Sequence, residues 1–251
     1  MIVRRLALWL GCVLVVAGAG VPPVNASENH RRSRSLVSVR ASQESSPGEH
    51  IKALIAKVAA AQKALHTLRA HFRETKRGSL FLHPVVSTGT FSFQTPDSAR
   101  WDYTSPQRMV VIFRHNVLIT VDVKTGGVQR LHVGQRQRRL VKFLTGTQPL
   151  DRLIANFRVT LTDAGPETPF SLQLEPEGPA MRRKLAYIRI DIDRRLFLPI
   201  RLELVDGSGV TTVYELSEIE INPALKPDLF ALHHTNEGTG SPEGASPFPR
   251  H

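Results

Sequence analysis

From Thr67 to Ile221 the chain alternates apolar and polar side chains through one short stretch after another. A period of two is the signature of a strand with one buried face, and a chain that repeats it this often can hardly build anything but a sheet. The expected strands are 67–76, 87–94, 99–104, 108–114, 117–123, 127–133, 157–163, 169–175, 186–193, 199–205 and 210–221. Turn residues separate them: Thr95-Pro96-Asp97, Ser105-Pro106, Lys124-Thr125-Gly126-Gly127 and Asp206-Gly207-Ser208-Gly209. Consecutive strands joined by short turns form an antiparallel meander. A sheet of about ten strands curls and encloses a space.

Two segments break the alternation. Ser46-Pro47-Gly48-Glu49 has capping-box spacing with Pro at the first helical position. Ile51, Leu54, Ile55, Val58, Ala61, Leu65 and Leu68 then recur at three and four, which predicts one amphipathic helix ending near His66. Residues 138–155 return to helical spacing through Leu140, Phe143 and Leu144, then Leu150, Leu153 and Ile154, broken at Gly146 to Pro149. The fold class is therefore α+β and mainly β: a single large curved antiparallel sheet with an N-terminal helix and short helices that can lie across its opening as a lid.

The ends differ from the middle. Arg4 and Arg5, the apolar run Leu6 to Val16 and the small residues after it form a signal-peptide pattern, too short to span a bilayer. Cleavage after Ala19 or after Ala26 satisfies the small-residue rule, and both sites stay open. This divides the chain into a signal peptide (1–26), a Ser- and Arg-rich flexible leader (27–48), one domain (49–232) and a Gly-, Pro- and Ser-rich disordered tail (233–251). The one cysteine, Cys12, lies inside the signal, so the exported domain has no disulfide, thiolate metal site or Cys nucleophile.

The formal charge of +11 falls to +9 without Arg4 and Arg5, since residues 1–26 carry no Asp or Glu. Such a basic exported protein suits an anionic membrane surface or an acidic partner. Nucleic acid fits poorly, because the aromatics lie on apolar alternating strands rather than among the cations. The densest basic clusters, Arg136, Arg138, Arg139 and Lys142 and then Arg182, Arg183 and Lys184, read as a solubilising face or as a lipid-headgroup contact. His83, His132, His233 and His234 lack ligand spacing, so no metal or cofactor is expected. Asp191 and Asp193 share a strand face but precede Arg194 and Arg195, which suggests a charged edge rather than an acid/base pair. No nucleophile elbow or phosphate-binding loop occurs.

The densest aromatic stretch is GTFSFQTPDSARWDYTSP, residues 89–106, with Phe91 and Phe93 two apart and Trp101 and Tyr103 two apart. Each pair lies on one face of its strand. The hairpin's ring face either fills a solid core or looks into a hollow. In the second case the ligand face is Phe72, Phe91, Phe93, Trp101, Tyr103, Ile112 and Leu118 on the sheet with Leu140, Phe143 and Leu144 on the lid.

In order, the chain carries LRAHFRETKRG, GTFSFQTPDSARWDYTSPQRMVVIF, a Gly-Gly turn, FLTGTQPLDRL and DGSGVTTVYELSEIEINPALKPDLFAL. From about residue 50 to 232 this succession resembles the LolA family of periplasmic outer-membrane lipoprotein carriers. The resemblance implies an unclosed barrel whose apolar hollow binds acyl chains of lipoproteins. It also implies a non-enzymatic, monomeric shuttle that meets acylated lipoproteins, an inner-membrane lipoprotein-release transporter and an outer-membrane receptor. Two features depart from the family pattern: Thr95 stands where a basic residue precedes the hairpin proline, and His115-Asn116 replaces Asp-Gly. The remaining alternatives are an exported module that carries or senses another lipid, and a cryptic hydrolase.

Overall fold

The computed structural model describes residues 47–79, 81–133, 150, 154, 155 and 157–231. Helix α1 (Pro47–Ala64) is followed by β1 (Thr67–Arg77), β2 (Val85–Gln94), β3 (Ser98–Ser105), β4 (Met109–Arg114), β5 (Val117–Asp122) and β6 (Val128–His132). After residues 134–149 come β7 (Phe157–Thr162), β8 (Phe170–Pro176), the short helix α2 (Pro179–Arg182), β9 (Leu185–Ile192), β10 (Pro199–Asp206) and β11 (Thr211–Ile221). All eleven strands start and end within two residues of the positions that alternation predicts. Helix α2 stands where the sequence suggests only a Pro-rich turn.

The strands form one antiparallel sheet in the order β6-β5-β4-β3-β2-β1-β11-β10-β9-β8-β7. It is not a simple meander. Two hairpin series are joined by pairing of the first strand with the last, so β6 and β7 are the two free edges and the curved sheet remains an unclosed barrel. Alternation is a local signal, whereas β1 and β11 meet across most of the chain, which is why strand order was not legible with strand position.

The β1–β11 seam contains a bulge: the register shifts between Arg69 and His71, and Glu218 takes a left-handed φ of 51°. This extra residue switches the inward parity of β11 from Tyr214 and Leu216 to Ile219. The apolar side chains of the sequence make the same switch, from even to odd positions.

At the end of β11, Asn222 ties three elements together. Its Oδ1 accepts from the backbone N–H of His66 (2.7 Å) and Thr67 (3.2 Å), and its Nδ2 donates to the Ala64 carbonyl (3.1 Å). The last turn of α1 leaves carbonyls without helical partners, and Asn222 supplies one while fixing the entry into β1. At the β4–β5 turn, His115 and Asn116 both have positive φ, 50° and 62°, between the paired residues Arg114 and Val117. This is the conformation of a two-residue primed turn, so the pair does the same work as Asp-Gly.

Helix α1 covers one face of the sheet. Leu54 and Val58 pack with Leu172, Leu174, Ile188, Ile190, Ile192, Leu202 and Leu204 over the β8–β10 half. Ala61 and Leu65 pack toward the β1–β5 half. Leu150, at the end of the β6–β7 connection, joins the first group and is almost fully buried, with Ile154 against it. The remaining residues of that connection that were expected to form the lid, Leu140, Phe143 and Leu144, lie outside the described residues.

Candidate functional site

The face under α1 is built by register. Phe93 pairs with Leu68 and Ala99, Phe91 with Ala70 and Trp101, and Gly89 with Phe72 and Tyr103. The set extends through Val111, opposite Trp101, and Phe113, opposite Ala99 and Leu118. Phe72, Phe91, Phe93, Trp101, Tyr103 and Leu118 thus share one face and one apolar cluster. The two ring pairs of the hairpin face the same way, and Phe91 and Trp101 stand 5.2 Å apart between centroids.

Ile112 does not belong with them. It pairs with Arg100 and Ile119, so it points to the opposite, convex face. It is nevertheless only 2% exposed. Arg100, beside it, donates from Nη1 to the Leu229 carbonyl at 2.8 Å, which brings the C-terminal segment with buried Phe230 onto this row of the convex face. The run Met109–Phe113 is apolar at every position, so its parity cannot be read from sequence; only pairing with β3 resolves it. Met109, Val111 and Phe113 are the inward residues of this strand that sequence reasoning missed.

Gly89 is the floor of the site. A Cβ there would come within 2.0 Å of the Asp102 carbonyl oxygen and 2.8 Å of Phe72 Cε1. Without one, the Phe72 and Tyr103 rings, on the strands to either side, meet edge to face over the backbone at 4.9 Å and 76°.

Beyond Phe72 the same face turns polar. Inward parity on β1 continues with Glu74 and Lys76, both buried, and Lys76 Nζ lies 2.8 Å from Glu74 Oε1. The Tyr103 hydroxyl donates to Glu74 Oε2 at 2.9 Å. Tyr214 pairs with Glu74 across the β1–β11 seam. Burial, then the Glu74 charge, pushes both phenols well above their ordinary pKa, so they remain neutral donors. This cluster caps one end of an otherwise apolar face. Its signal was visible in sequence: Glu74 and Lys76 lie two and four residues after Phe72, at the same parity.

The convex face of the β8–β11 half is a charge ladder. Arg201 reaches Asp191, Glu203 and Glu215, Ser171 donates to Asp191 and Tyr187 donates to Glu203. Asp193 instead accepts from the backbone N–H of Arg195 and Leu196 at the β9–β10 turn. The two aspartates are therefore committed to separate structural contacts. His83 and His132 are exposed, and among the described residues no three His, Cys, Asp or Glu side chains gather as a metal site. Arg182 and Arg183 are exposed at the end of α2, while the cluster from Arg136 to Lys142 lies outside the described residues. No helix among the described residues is long and apolar enough to cross a membrane.

Solved structures similar to this one include a LolA superfamily protein from Nitrosomonas europaea, 10% identical, covering 72% of this chain and 97% of its own with a TM-score of 0.39. Lipoprotein LppX from Mycobacterium tuberculosis is 11% identical and covers 69% and 98% with a TM-score of 0.41. MucB in the MucA/MucB complex of Pseudomonas aeruginosa is 12% identical with a TM-score of 0.48; 73% of this chain spans 61% of that one. No curated protein sequence matches the chain. Residues 63–233 match the family described as outer membrane lipoprotein carrier protein LolA. That match takes in every strand and the whole apolar face, and the chain belongs to the LolA family.

Proposed function

We propose that this protein is a periplasmic carrier that shelters the acyl chains of lipoproteins against its α1-covered face and shuttles them from the inner to the outer membrane. The observation that carries this reading is the nature of the cover. In a sandwich, a second sheet seals such a face through a wide interface. Here the described cover is an amphipathic helix contributing Leu54, Val58, Ala61 and Leu65, together with Leu150. The apolar area beneath spans both halves of the sheet. Moving that cover would expose the two apolar clusters beneath it, which acyl chains can bury in its place.

The energetics match the task. An acyl chain of about sixteen carbons exposed to water costs on the order of 10 kcal/mol, at ~0.8 per methylene. Exchanging a helix's apolar stripe for a chain of similar area leaves the net change small, so loading and release are both accessible. Family membership supports the same reading. It needs no cofactor and no catalytic group. The first 26 residues act as the export signal, residues 49–232 as the carrier domain, and the partners are acylated lipoproteins, an inner-membrane release transporter and an outer-membrane receptor.

Mass spectrometry of the protein purified from the periplasm tests the cargo: acylated species should co-purify, and protein free of lipid across independent preparations would contradict it. A lipoprotein-release assay with inner-membrane export machinery separates a shuttle from a module that only holds or senses lipid. Release that requires this protein supports the shuttle.

A further inference from the structure

The cover carries a polar feature that packing does not explain. Gln62 lies on α1 one turn after fully buried Val58 and three residues before buried Leu65, so it belongs to the helix stripe that faces the sheet. Both its Nε2 and its Oε1 are buried, and neither has a hydrogen-bond partner among the described residues. Burying an amide with both ends unsatisfied is costly, and a Leu or Met would fill the position without that cost. A second buried, unpartnered amide oxygen, Asn116 Oδ1, belongs to the turn between β4 and β5. The Asn116 carbonyl accepts from Val133 N–H at 2.8 Å, and Val133 packs in the same apolar cluster as Leu65 and Ala61 on either side of Gln62. The end of the sheet opposite the Glu74–Lys76 cluster therefore carries the orphaned Gln62 amide and a second orphaned amide oxygen beside apolar surface.

Resting on the carrier reading, we infer that the Gln62 side chain is the polar contact for the guest, and that it recognises an amide-linked acyl chain. The complementarity is direct. Nε2 donates to the acyl carbonyl and Oε1 accepts from the adjacent N–H, so a secondary amide satisfies both orphans at once. An ester satisfies only Nε2 and leaves Oε1 buried without a donor. A free carboxylate adds a charge that this uncharged position does not balance. The acyl chain then runs from Gln62 along Leu68, Phe93 and Phe91 toward Phe72, with its polar linkage at the helix.

The test uses displacement of an environment-sensitive apolar dye from the full-length protein by N-palmitoyl glycinamide and by methyl palmitate. Wild type should prefer the amide by roughly 5–10-fold, the worth of one additional satisfied buried hydrogen bond. Gln62→Met should abolish that preference by weakening the amide, which loses two hydrogen bonds, more than the ester, which loses one, while its melting temperature stays level or rises by a few degrees because two orphaned groups are gone. Gln62→Leu guards against an idiosyncratic effect of Met and should behave alike. An undiminished amide preference in both variants, or no preference in wild type, overturns the assignment of Gln62 while the carrier reading stands. Failure of both probes to displace dye from wild type overturns the carrier reading itself, and the inference with it.

Discussion

The Tyr103 hydroxyl donates a 2.9 Å hydrogen bond to Glu74 Oε2 at the point where the apolar sheet face turns polar. Removing that donor leaves part of a buried carboxylate unsatisfied, so Tyr103→Phe should cost about 1–3 kcal/mol in urea denaturation. The phenol's raised pKa also gives a pH signature. The folded state holds the Tyr103 and Tyr214 protons above the pH at which the unfolded chain releases them, so ∂ΔG/∂pH is negative there. The stabilising contribution is fully present below about pH 10, the unfolded phenol value, and is lost as pH rises toward the folded values. Stability curves of wild type and Tyr103→Phe measured between pH 8 and 11 should converge at the alkaline end.

Glu74 and Lys76 are buried together, so neither is easily removed alone. Glu74→Gln should destabilise by about 3–5 kcal/mol because buried Lys76 loses the Glu74 charge, whereas Glu74→Gln combined with Lys76→Met should recover most of that loss. Chemical denaturation of the two single variants and the double variant gives the coupling directly. Additive losses would mean that the pair is not coupled.

Gly89→Ala probes the close approach beneath Phe72. With 2.0 Å between the added Cβ and the Asp102 carbonyl oxygen, the β2–β3 ladder must shift, at a cost of about 1–3 kcal/mol or more. The near-ultraviolet circular dichroism of Tyr103 and Trp101 should change with it, since Phe72 and Tyr103 can no longer keep their 4.9 Å edge-to-face contact.

Asn222→Ala removes three hydrogen bonds that tie the end of α1 and the entry into β1 to the end of β11. A loss of about 1–3 kcal/mol is expected, together with faster hydrogen exchange at the C-terminal end of α1. If α1 is the movable cover, dye uptake should also quicken. Unchanged exchange across α1 would show that Asn222 does not hold the helix.

Much of this architecture was legible because alternation and burial share one cause. β9 reads Ile188, Ile190 and Ile192 inward with Tyr187, Arg189 and Asp191 outward, and the structure repeats that division. The aromatic hairpin was equally clear, because one polar residue separates Phe91 from Phe93 and Trp101 from Tyr103. Ile112 was misassigned for the opposite reason: in a strand with no polar residue between Met109 and Phe113, nothing local marks a face. Pairing of β1 with β11 depends on contacts across the chain, and the orphaned Gln62 is defined by partners it lacks. Neither leaves a periodic trace.

The central claim is that acyl chains enter against the Phe91–Trp101 pair, and Trp101 can report it. In a Trp9→Phe variant of the full chain, Trp101 is the remaining tryptophan. Palmitoyl chains brominated near mid-chain quench indole fluorescence only at close range. The account predicts saturable quenching of Trp101 that unbrominated chains reverse. Binding of the brominated chain, seen by dye displacement, with Trp101 emission unchanged would contradict it.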